Sequence, residues 1–99
     1  MSGMPIRIGG IAWYREDDYP RILEIMEDAK VLPATFKQWE QIAKQTESEG
    51  EMRGLTVVRA IIDPETFPDW CAARGLNVDA KARIRFANEF VLDQARSVH

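Results

Sequence analysis

Two groups of carboxylates stand directly after the two stretches richest in strand-forming residues: Glu16, Asp17 and Asp18 after the first, Asp63 and Glu65 after the second. Hard cations such as magnesium take oxygen ligands from a few carboxylates, and strand ends are a common place to gather them. If the two strands run parallel, both groups fall at one end of the sheet. Asp17, Asp18, Asp63 and Glu65 are then the candidate metal ligands, and Arg15 is the candidate anchor for an anion. The competing account is structural, because acidic residues at helix starts cap exposed amides and complement the helix dipole. No calcium-loop or phosphate-loop spacing accompanies the carboxylates, which favours capping.

Other reactive chemistry finds less support. Cys71 has one conceivable histidine partner, the terminal His99, and its neighbours Trp70 and Ala72 point to a small buried hydrophobe rather than a nucleophile. The zinc patterns of Cys and His and the Gly-rich dinucleotide fingerprint are both missing from the sequence, so no catalytic residue and no cofactor is expected. Trp13, Tyr14 and Arg15 form an aromatic and basic run that could stack a base, but successive strand residues point to opposite faces. One ring is expected in the core and the other near the surface. Lys81, Arg83 and Arg85 crowd one helical stretch on different azimuths among Asp79, Glu89 and Asp93, which is not the continuous basic face that nucleic acid requires.

The scaffold for these residues is a chain of 99 residues, 45% of them hydrophobic, with net charge -3. That length suits one domain spanning 1–99, with residues 1–5 a loose tail. Nothing resembles a membrane span or a signal peptide, and a lone cysteine fits a reducing compartment, so a cytoplasmic protein is expected.

Hydrophobic spacing predicts an α+β domain, mostly helical, in the order β-α-α-β-α-α with a small two-stranded sheet. The first strand is reliable from Ile11 to Tyr14, since Gly9 and Gly10 suggest a bulge or a late start. Asp17 or Asp18 can cap the first helix, with Pro20 in its first turn. Thr35 and Gln38 form a capping box for the second, whose charged far end around Gly50 is expected to fray. Gly54 stops that helix, and Leu55 to Ile62 reads as a strand covered on both faces. Pro68 delays the third helix to about Thr66, and Gly75 with Leu76 closes it in a Schellman stop. The longest helix runs from about Asp79 to Ser97.

Pro33, Thr35, Phe36 and Trp39 recur as Pro64, Thr66, Phe67 and Trp70 at one constant offset, which raises an internal duplication. The same agreement arises between any two helix starts with a capping Thr and aromatics three apart.

The segments IAWYREDDYP, LPATFKQW and IIDPETFPDWCAARGL resemble short conserved bacterial proteins of uncharacterised function, over Ile11 to about Ala87. The resemblance implies a bacterial cytoplasmic domain and carries over no catalytic residue.

In the last helix Ala80, Ile84, Ala87, Val91, Ala95 and Val98 form one apolar stripe, which Phe86 and Phe90 widen to roughly half the circumference. So broad a face suits packing within the domain and also a contact with a second copy. Arg83 and Gln94 project inside the arc, making Arg83, Phe86, Phe90 and Gln94 the candidate interaction surface. The expected function is therefore a protein-interaction or accessory domain, self-associating in one version, with no nucleic-acid or membrane partner. The alternative is a small-ligand or divalent-metal site at the acidic strand ends. An exposed apolar patch on the last helix favours the first, and a pocket holding at least three of the named carboxylates favours the second.

Overall fold

Strands β1 (Arg7–Trp13) and β2 (Leu55–Ile61) pair in parallel as a two-stranded sheet. The computed structural model describes residues 7–97, so the expected tail at 1–5, Ile6, Val98 and His99 lie outside the described residues. Helices α1 (Tyr19–Ile25) and α2 (Phe36–Met52) make the crossover between the strands, and α3 (Phe67–Ala73) and α4 (Ala80–Ser97) follow β2. The α+β class and the β-α-α-β-α-α order hold, with two short 3-10 turns added at Glu16–Asp18 and Ala29–Val31.

β1 is longer than its sequence suggests, because Gly9 and Gly10 lie in regular register opposite Val57 and Val58. The glycine at 10 has a packing cause. A Cβ there would meet the Ala87 carbonyl oxygen at 2.5 Å and the Val91 side chain at 2.8 Å, so α4 reaches the strand only because the side chain is missing. Gly50 plays the matching part on the other face, where its Cα side lies against Val57 and α2 continues to Met52 instead of fraying.

Alternation along the strands fixes the layers. Gly10 faces α4, whereas Val57, Arg59 and Trp13 face Gly50, Glu47 and Trp39 of α2. The two long helices therefore cover opposite faces of a sheet only two strands wide. Trp13 and Tyr14 are both in the core, at 5% and 2% exposure, which corrects the expected split between core and surface. They leave the strand on opposite faces, yet Trp39 lies 5.0 Å from one ring and 4.6 Å from the other. It reaches both because it sits across the end of β1.

Each helix boundary has a local cause. Thr35 accepts from the Gln38 amide at 3.2 Å while Gln38 accepts from the Thr35 amide at 3.4 Å, completing the capping box. Gly54 and Gly75 take the left-handed conformation, φ +89° and +67°, at the ends of α2 and α3. The Leu76 amide donates to the Cys71 carbonyl and the Gly75 amide to Ala72, the paired bonds of a Schellman stop. Asp79 Oδ1 accepts from the Ala82 amide and caps α4. The expected carboxylate cap on α1 does not form, because Asp18 turns to Arg15 instead.

The order of elements recurs in the two halves of the chain, at a spacing different from the one the aromatic motif suggests. Paired strand residues stand 48 apart, from Arg7↔Leu55 to Trp13↔Ile61. The same step carries α1 onto α3, both seven residues long, and Tyr19-Pro20 onto Phe67-Pro68. The Thr35 and Thr66 windows are not equivalent, since one opens a helix of 17 residues and the other a helix of seven. Each half is thus strand, short helix, long helix, and each long helix packs on the other half's strand. Tyr14, Tyr19, Ile22, Trp39, Phe67, Cys71 and Ala82, drawn from both halves, share one core. Each large apolar side chain buried there is worth about 1.5 to 3 kcal/mol.

Candidate functional site

The parallel sheet does bring both acidic loops to one end, but their carboxylates are turned to separate tasks. Asp18 accepts from Arg15 Nε at 2.8 Å, Asp63 Oδ1 accepts from the Glu65 amide at 2.9 Å, and Glu65 lies 3.3 Å from Arg21. Asp17 is exposed in the 3-10 turn. Among the described residues no group of three or more His, Cys, Asp or Glu is placed to hold a metal ion. Arg15 is exposed and committed to Asp18. Asp17, Asp18, Asp63 and Glu65 line neither of the two main surface hollows.

The four residues expected to form an interaction surface on α4 do not share one. Arg83 turns inward and grips Asp28 with two bonds of 2.7 and 2.9 Å, with Met26 Sδ alongside at 3.4 Å. Phe86 packs edge-on against Phe67 and Trp70, at 5.6 and 5.2 Å between ring centres, in a second aromatic cluster. Phe90 is half-buried and Gln94 is exposed. Arg85 is occupied by Glu89 at 2.8 Å. Cys71 is free and fully buried, and burial pushes its thiol pKa up, away from nucleophilic character.

Among the described residues, the large apolar side chains that α4 does expose are Ile84 and Leu92, at 63% and 54%. Ile84 leads to the feature that sequence reasoning missed. The Ile62 amide donates to the Trp13 carbonyl at 2.9 Å, so Trp13 and the other odd-numbered residues of β1 turn their main-chain groups toward β2. Ile8, Gly10 and Ala12 must then present theirs at the free edge. For Gly10 and Ala12 these outward groups have no hydrogen-bond partner among the described residues.

That edge is the floor of a cleft of about 360 Å³. Trp39, Ile42, Ala43 and Thr46 of α2 make one wall, Ala80, Arg83, Ile84 and Ala87 of α4 make the other, and Gly10, Ile11 and Ala12 lie between them. Ile42, 57% exposed, faces the cleft from the wall opposite Ile84. A second hollow of about 260 Å³ continues along Gly9, Gly10 and Ile11 beside Gly50 and Arg53. The cleft exists because two helices of 17 and 18 residues flank a sheet of only two strands.

Its electrostatics are quiet. The Arg83 charge is answered by Asp28, whose carboxyl pKa is held down chiefly by the guanidinium bonds. Tyr14, also on the lining, has its pKa pushed up to about 12, first by burial and then by Asp28 and Tyr19 against the opposing pull of Arg83, so it stays neutral at ordinary pH. From Ile8 to Tyr14 the strand carries no charge, whereas β2 holds Arg59 near its centre, bonded to Glu47 at 2.6 and 2.9 Å and lying 3.8 Å over the Trp13 ring. Natural edge strands are commonly defended by charge, proline or a bulge, and β1 has none of these between Ile8 and Trp13, its one charge, Arg7, standing at the start of the strand.

No protein-family model matches the chain, and comparisons with curated proteins and with solved structures give no match. The described helices include none long and apolar enough to cross a membrane.

The signal for the cleft was present in two pieces. A strand that has one strand partner among the described residues must leave an edge open, here without charge from Ile8 to Trp13, and Ile42 and Ile84 stand on helical faces that the core does not fill. What could not be read was that both helices bracket the same edge.

Proposed function

We propose that this chain is a protein-interaction domain of the bacterial cytoplasm, working through the cleft along the open edge of β1. The observation that carries the reading is the combination of main-chain donors and acceptors with apolar walls. Extended segments bind sheet edges through their backbone, while flanking pockets take alternate side chains. The cleft offers both, with Gly10 and Ala12 for the backbone and Ile42 and Ile84 for side chains. Its titratable lining groups, Tyr14 and Arg83, are neutral and paired respectively, which suits recognition better than acid-base chemistry. This moves the proposed surface from the Arg83, Phe86, Phe90 and Gln94 face of α4 to the side of that helix bearing Ile84.

The test is site-specific photo-crosslinking in growing cells. A benzophenone side chain placed at Ile42 or Ile84 should yield protein adducts, and one placed at Val31 or Met52, exposed at 74% and 86%, should not. Equal adducts from all four positions, or none from 42 and 84, would remove the cleft as the working surface.

A further inference from the structure

We infer that the occupant of the cleft is β1 of a second copy, paired antiparallel across a two-fold axis at Gly10 to give a continuous sheet β2-β1-β1-β2. The inference rests on reading the cleft as an interaction surface and names its partner.

Three observations favour self-pairing. A two-fold contact sets one surface against itself, so every charge within it meets its own kind, and the edge from Ile8 to Trp13 carries none. The register is also determined. Ile8, Gly10 and Ala12 face outward, and centring the axis on Gly10 opposes Ile8 with Ala12 of the partner subunit and Gly10 with its own copy. All three outward residues are then hydrogen-bonded pairs, and each pair exchanges two bonds, about six in total. Centring on Gly9 or Ile11 leaves one of the three without an opposite within Arg7–Trp13.

The third observation is the unfilled space above and below the edge. A two-stranded sheet is marginal by itself, and three or more strands are the usual minimum for a stable sheet. Four strands between two copies of α2 and two of α4 would match the sheet to the width of the helices that already overhang it. Ile42 and Ile84 would lose their exposure in the process.

The experiment uses the full-length chain. Sedimentation equilibrium should give twice the monomer mass, and Ile42→Lys or Ile84→Lys should each raise the dissociation constant at least about tenfold while circular dichroism stays unchanged. Register is tested by the pair Ile8→Cys with Ala12→Cys. Opposed Cα atoms about 5.5 Å apart fall within disulfide reach, so mild oxidation should give a covalent dimer that Ile8→Cys alone does not form. Cys71 is silent in this assay because it is buried. A chain that stays monomeric at high concentration overturns the inference, as does a dimer indifferent to both lysine variants or one that the cysteine pair fails to lock. A monomer that nevertheless gives adducts with other proteins from 42 and 84 overturns self-pairing alone and leaves the interaction reading standing.

Discussion

Arg83 and Asp28, 55 residues apart in the chain, meet through the two terminal guanidinium nitrogens and both carboxylate oxygens at 2.7 and 2.9 Å. The bond ties the start of α4 to the loop after α1, beside Tyr14. Arg83 projects within the apolar arc of α4, and the carboxylate that answers its charge comes from within the domain.

Because the Arg83 and Asp28 side chains are only 12% and 23% exposed, removing one leaves the other poorly solvated. Arg83→Ala and Asp28→Ala should each destabilise the fold by about 2 to 3 kcal/mol, between the costs typical of exposed and buried pairs. Urea unfolding of the two single variants and the double variant measures this. Losses that simply add would show that the two side chains do not act together.

The Asp28 carboxyl pKa lies below its ordinary value, chiefly through the bonds from Arg83. A depressed pKa means that the unfolded chain takes up the proton first. The stabilisation is complete above the unfolded pKa of about 3.9 and is lost as pH falls through the folded value. Asp28→Asn should therefore flatten the acid limb of stability against pH below about 4, as read by melting temperature. An unchanged limb would assign acid unfolding to other carboxylates.

Tyr14 gives the opposite sign. Its pKa is raised from 10.0 to about 12, so its contribution is intact below the lower value and is lost as pH rises between the two. Tyr14→Phe should keep more of its neutral-pH stability above pH 10 than the parent does. Absorbance near the phenolate band, followed through alkaline titration, would show late ionisation of this tyrosine, and a normal titration would refute its burial.

The glycine pair separates two kinds of constraint. Gly10→Ala should cost about 1 to 3 kcal/mol through overpacking, because the new methyl would meet backbone of α4. Gly9→Ala places its methyl 3.4 Å from a flexible Leu55 side chain and should be close to neutral. Thermal melts of the two variants side by side give the contrast, and similar melting temperatures would contradict the close approach of α4.

Local signals carried much of this fold. The capping box at Thr35, the stop at Gly75 with Leu76 and the late start of α3 all depend on residues within one or two turns of each other, so the sequence displays them directly. Gly10 and Gly50 misled because their reasons are tertiary: Gly10 is small so that α4, from the far end of the chain, can approach β1, and Gly50 so that α2 can lie against Val57 of β2. The four candidate residues on α4 are parted for the same cause. Phe86 and Arg83 lie on the apolar arc of α4, but Trp70 and Asp28, which consume them, arrive through tertiary packing. The open edge of β1 depends on which strand neighbours which, and no local pattern encodes that.

The interlocked halves also govern how this protein can be made. β1 has its strand partner 48 residues downstream and its covering helix later still, with Ala87 against Gly10. During synthesis the first half would leave the ribosome with its strand unpaired and the Gly10 side of that strand bare. Its core cannot close until α4 has emerged. Such non-local closure slows folding and lengthens the interval in which a strand without charge from Ile8 to Trp13 is exposed. The segment proposed as a docking edge in the finished molecule is therefore an aggregation hazard while it is being born.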